Sequence, residues 1–134
     1  VAVTGVQTCA LPILCMDNKL TKLAREYWTA EESRDINAIL SFFSKDARWI
    51  GPDGVVLVGH DQIRTFYENS AAAYPGLEVE VLRSYGDEHE GSVEWSAKLI
   101  ASDGRVLNLS GVNIMKRQDD KFTELTAYFN LGAF

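Results

Sequence analysis

Three stretches of helical spacing followed by uninterrupted strand alternation constrain this chain more than any single motif. Leu20, Leu23, Ala24, Tyr27 and Trp28 fall three and four residues apart, on one face of a helix that Asp17 or Asn18 can cap. Ser33 or Asp35 opens a second, short helix with Ile36, Ile39, Leu40 and Phe43 inward. Ala47 to Ile50 and Val55 to Val58 read as short strands around the turn Pro52-Asp53-Gly54. Gly59-His60-Asp61 leads into a third helix, with Ile63, Phe66, Tyr67 and Ala71 on its apolar side, and Tyr74-Pro75-Gly76 ends it.

Everything after that alternates. Leu77, Val79 and Val81 interleave with glutamates. Val93, Trp95, Ala97 and Leu99 interleave with polar residues after a polar connection at 86–91. Two more strands are expected over Val106 to Lys116 and Phe122 to Leu131, joined by turns at Ser102-Asp103-Gly104 and at Gln118 to Lys121. The order predicts an α+β domain, with three amino-terminal helices packed on one face of an antiparallel sheet.

At 134 residues, with 46% hydrophobic and 24% charged residues, the chain suits one domain with one core. The net charge of −6 and the lack of a basic run argue against nucleic acid as a partner, since that binding rests on neutralising phosphates. No apolar run approaches the roughly 20 residues of a spanning helix. A cytoplasmic location, with no membrane partner, is the expectation.

Residues 1–15 differ from the rest in carrying no charge. A signal peptide would need a positive start and a small-residue cleavage site, and neither is present. Thr4-Gly5 and Pro12 make a native strand poor. The string Val3-Thr4-Gly5-Val6-Gln7-Thr8-Cys9-Ala10-Leu11-Pro12-Ile13 resembles the translation of a sequencing-library adapter. Residues 1–15 are therefore set apart as a non-native leader, and 16–134 as the domain, with Met16 its expected start. Both cysteines, Cys9 and Cys15, fall in the leader, so the domain is expected to have no disulfide and no cysteine metal site. No cofactor and no metal are expected.

Several local strings agree with a known family. Ser33-Arg34-Asp35-Ile36 precedes Phe42-Phe43-Ser44-Lys45-Asp46-Ala47, an acidic helix start before an Asp-Ala at the first strand. Gly51-Pro52-Asp53-Gly54 stands at the first turn. Gly59-His60-Asp61-Gln62-Ile63 with Phe66-Tyr67 opens the third helix, and Lys121 to Asn130 the last strand. Together these resemble the nuclear transport factor 2-like superfamily, and within it a SnoaL-like or ketosteroid-isomerase-like member, across Met16 to Phe134. The resemblance implies a cone-shaped fold whose curved sheet encloses a ligand pocket.

Carried over residue by residue, the resemblance to ketosteroid isomerase implies that Tyr27 matches a phenolic donor and Tyr67 a tyrosine supporting it. Phe66 and Phe129 match apolar pocket walls. Two positions depart from the pattern. Gly51 stands where the isomerase has its general base, and glycine cannot accept a proton. Asn113 stands where it has an acidic donor, and its NH2 can still donate to a carbonyl. Where SnoaL-like cyclases carry a catalytic aspartate on the last strand, this chain has Ala127.

Each candidate has a plainer alternative. Tyr27 can be a core tyrosine with a backbone partner. Asn113 lies in the alternating set Leu107, Leu109, Gly111, Asn113, Met115, taken as the concave face. It can bind a ligand or simply pair with Tyr27 or a strand end. Trp49, Trp95 and Trp28 can line a pocket or fill the core, with Trp49 the best placed. Asp53 reads as a turn former and Asp35 as a helix cap. His60 and His89 are expected to be exposed.

Two classes of function follow. One is a small-molecule-binding domain whose ligand, a small apolar molecule, contacts Tyr27, Trp49, Phe66, Tyr67, Trp95, Asn113 and Phe129. The other is an enzyme, an isomerase, cyclase or hydrolase, acting on a small apolar carbonyl or polyketide-like compound through an unrecognised base. A carboxylate pointing into the cone would favour the second. Val112, Ile114 and Tyr128 alternate away from the pocket set, which predicts a homodimer through the outer sheet face.

Overall fold

The computed structural model describes residues 17–130. The leader, both cysteines, Met16 and Leu131 lie outside them. Helix α1 (Lys19–Ser33) starts where the Asn18 side chain accepts from the Thr21 backbone N–H at 2.8 Å. It ends at Arg34, which adopts the left-handed conformation at φ 58°. Helix α2 (Ile36–Leu40) is capped by Asp35, whose carboxylate accepts from Ala38 N–H. Strands β1 (Phe43–Ile50) and β2 (Val56–Val58) form the expected hairpin, and α3 (Gly59–Ala73) follows at once. Four long strands complete the chain: β3 (Gly76–Gly86), β4 (Glu90–Ile100), β5 (Val106–Gln118) and β6 (Lys121–Phe129).

The six strands form one curved, unclosed sheet in the order β2-β1-β6-β5-β4-β3. The expectation of an antiparallel sheet needs one correction. β1 and β6 run parallel, with Trp49 opposite Leu125 and Ile50 opposite Thr126, so the sheet is mixed. Strand β2, helix α3 and strands β3, β4 and β5 intervene between β1 and β6, which lets the last strand return alongside the first in the same direction. β1 also begins earlier than Ala47. Its polar stretch Ser44-Lys45-Asp46 lies where the β1–β6 register shifts, so alternation fails there although the chain is extended.

The helices cover the concave face. Leu20, Ala24, Ile39, Ile63, Phe43, Phe122, Met115 and Leu125 are all essentially inaccessible. Burying a side chain of the leucine, isoleucine or phenylalanine kind stabilises by about 1.5–3 kcal/mol. Helix α1 is fastened to the edge strand β3 twice. Glu32 accepts from the Val79 backbone N–H at 2.7 Å, and Thr21 donates to the Ser84 hydroxyl at 2.9 Å. The first bond satisfies a donor that an edge strand would otherwise leave bare. No helix among the described residues is long and apolar enough to cross a membrane.

Candidate functional site

A cavity of about 350 Å3 lies between the helices and the concave face of the sheet. Tyr27 reaches it from α1, Trp49 from β1, and Phe66 and Tyr67 from α3. Trp95 reaches it from β4, Asn113 from β5 and Phe129 from β6. All seven side chains singled out in the sequence therefore border one space. Asn69 and Ala73 border it too and are exposed, so the cavity opens along the last turns of α3.

Aromatic rings shape the wall. The Trp49 and Phe66 ring centroids lie 4.2 Å apart with planes tilted by 37°. Trp95 packs against Phe129 and Trp28, at 6.2 and 6.5 Å. Gly111, the cross-strand partner of Trp95, makes room for that ring. A Cβ there would stand 2.8 Å from the indole and 2.3 Å from the Tyr128 carbonyl oxygen.

Asn113 is 5% exposed. Its partner is neither Tyr27 nor a strand end, as its sequence setting suggests, but the Trp95 indole N–H, which donates to Asn113 Oδ1 at 3.0 Å. Residues 95 and 113 sit on the same face of adjacent strands, close enough for a diagonal contact. An indole nitrogen only donates, so it fixes the oxygen of Asn113 toward Trp95 and directs the NH2 elsewhere.

Tyr27 and Tyr67, both buried, hydrogen-bond to each other through their hydroxyls. One proton of the pair is thus used within it. Burial holds both phenols well above their ordinary pKa, and the negative charge of Glu31 adds to the effect.

Glu31 is an ionisable cavity residue not anticipated from the sequence. It sits one turn beyond Tyr27 on α1 and borders the cavity. Burial pushes its carboxyl above the usual range. Hydrogen bonding with the Tyr27 hydroxyl and the charge of Arg34 pull it back, while Glu32 pushes it further up. Its sequence signal is visible afterwards: position 31 continues the spacing of Leu20, Leu23, Ala24, Tyr27 and Trp28, an acid on an otherwise apolar helix face.

Arg34 fixes the end of α1 beside this acid. Its Nε and Nη2 donate to the Tyr74 carbonyl at 3.1 and 2.7 Å, tying α1 to the end of α3. Its Nη1 is buried without a partner among the described residues. Burial lowers the Arg34 pKa, and Glu31 opposes that shift.

Other candidates lie apart. Ala127 borders the cavity opposite Asn113 in register, with only a methyl group. Gly51 faces a neighbouring hollow, and a Cβ there would meet Asp53 Oδ1 at 3.0 Å and the Trp49 ring at 3.1 Å. Asp53 is exposed and accepts from Val55 N–H within its turn. Asp35 caps α2. His89 is exposed, but His60 is half-buried, with Nε2 2.9 Å from the Phe43 carbonyl. The immediate passage from β2 into α3 sets the imidazole against β1 and overturns its expected exposure. Among the described residues, no three His, Cys, Asp or Glu side chains come together as a metal site.

The SnoaL-like domain family matches residues 24–125. A protein with a ketosteroid isomerase-like fold from Catenulispora acidiphila, crystallised with trimethylamine, is similar in structure. It has a TM-score of 0.75 and 14% identity over 84% of this chain and 88% of that one. TerC, co-crystallised with polyporic acid, gives a TM-score of 0.75 and 20% identity, over 87% of this chain and 95% of that one. A candidate SnoaL-like polyketide cyclase from Shewanella putrefaciens gives 0.78 and 12% identity, over 92% and 91%. These likenesses concern the fold. No curated protein matches the chain by sequence. With three helices laid on a curved sheet and a family match spanning both layers, the chain belongs to the SnoaL-like domain family.

Proposed function

We propose that the chain is a small-molecule-binding SnoaL-like domain that takes a compact, mostly apolar molecule into this cavity, without the general base of the isomerase or the cyclase. One observation carries the reading: side chains from all the long elements except β3 supply the seven residues above to a single cavity of about 350 Å3. That volume is in the usual range for small ligands, about 300–1,000 Å3. The Asn113 NH2, turned away from Trp95, supplies a directed donor in an apolar wall. The small organic molecules crystallised with two structural relatives, trimethylamine and polyporic acid, fit the same reading.

A thermal-shift screen of small aromatic and carbonyl compounds against the full chain tests it, because a ligand at 100 times its Kd adds about 2.7 kcal/mol to apparent stability. Hits should disappear in Ala127→Phe, which fills the cavity from the sheet side. No hits, or hits indifferent to that substitution, would sink the reading.

A second reading, an enzyme acting on a small carbonyl or polyketide-like compound, is favoured by Glu31. A carboxyl beside the cavity, with its pKa moved upward, suits general acid or base work. Turnover of a bound compound that disappears in Glu31→Gln while binding persists would establish it.

A further inference from the structure

Among the described residues, Glu31 is the one charged side chain that borders this cavity; no described lysine, arginine or histidine does. Rings of Trp28, Trp49, Phe66, Tyr74 and Trp95 line the same cavity. Arg34 lies behind the wall, occupied with the Tyr74 carbonyl, so its charge eases ionisation of Glu31 without entering the cavity. The chain as a whole carries −6, which draws cations toward any opening in its surface.

We propose that the cavity selects an organic cation, a tertiary or quaternary ammonium on a small apolar body, seated against Glu31 among the aromatic rings. The inference rests on the reading of the cavity as a ligand site and names the class of its ligand. Desolvation makes the ionised Glu31 carboxylate costly even with the Tyr27 hydroxyl and the Arg34 charge to offset it, and a cation arriving beside it lowers that cost. Aromatic rings attract an ammonium group electrostatically, and more strongly where water is excluded. A neutral ligand of the same shape would gain the apolar contacts alone.

Trimethylphenylammonium and tert-butylbenzene have the same shape and differ in charge, so they separate the two cases. Calorimetric titration of the full chain at pH 7.5 should show the ammonium binding at least about tenfold tighter than the hydrocarbon. Glu31→Gln, close in size to the native residue, should remove that preference, so that the two compounds bind with similar affinity. Equal or tighter binding of tert-butylbenzene by the unmodified chain would overturn the inference and leave the ligand cavity standing. A preference that survives Glu31→Gln would overturn it as well. Failure of both compounds to bind would remove the ligand-cavity reading and this inference with it.

Discussion

The Trp95 indole nitrogen donates to the Asn113 side-chain oxygen at 3.0 Å, across adjacent strands and inside the core. Asn113 thus serves the fold with its oxygen and leaves its NH2 for another acceptor. Asn113→Leu is expected to cost about 1–3 kcal/mol, because it leaves a buried indole N–H unpaired. In a Trp95→Phe background the same substitution should cost measurably less. A double-mutant cycle by urea denaturation checks this, and additive costs would show that the bond carries no energy.

Glu31 predicts a pH signature. Burial favours its neutral form in the folded chain, so its folded pKa lies above the unfolded value. Its stabilising contribution is fully present below the unfolded pKa of about 4.3 and is lost as pH rises through the higher folded value. Glutamine mimics the neutral acid. Glu31→Gln should therefore match the native Tm near pH 4 and exceed it at pH 8, with Arg34 reducing the gap and Glu32 widening it. An identical difference at both pH values would refute the account.

Gly111→Ala tests the packing of Trp95. The added methyl meets the indole and the β6 backbone, and the backbone cannot swing aside. Stability should fall by about 1–3 kcal/mol, as for other overpacked cores. Indole fluorescence should shift as the ring is displaced. A variant as stable as the parent, with unchanged emission, would contradict the packing.

The outer sheet face supports a quaternary prediction. Ile114 and Tyr128 are 41% and 55% exposed, with Val112 between them in the β5–β6 register. We expect a second copy of the chain to cover this patch. Light scattering at micromolar concentration should give a dimer, and Ile114→Lys a monomer. A monomeric parent would end the proposal.

What could be read in advance follows from how local each signal is. β4 and β5 have one buried and one open face, so alternation exposes them directly, and Asn113 stands out as a polar residue in the inward set. The partner of β1 has no such local mark. Parallel pairing with β6 depends on the path of the intervening chain, and the polar start of β1 hides its length. Asn113's bond to Trp95 is likewise a property of strand register, not of either residue's neighbours. Glu31 is different. Its spacing places it on the inner face of α1, while its charge assigns it to water, and only the helix packing decides between them.

The central position of β6 has a consequence for how the protein comes into being. The last strand of the sheet in sequence order is inserted between β1 and β5, not added at an edge. Until it emerges from the ribosome, the nascent chain holds two incomplete half-sheets with open edges, and Tyr27 and Asn113 have no common enclosure. Such long-range closure is slow to form and leaves apolar surface open during synthesis. The cavity therefore cannot close before β6 has been made. A chain stalled before Lys121 would present to chaperones the surfaces that the finished domain encloses.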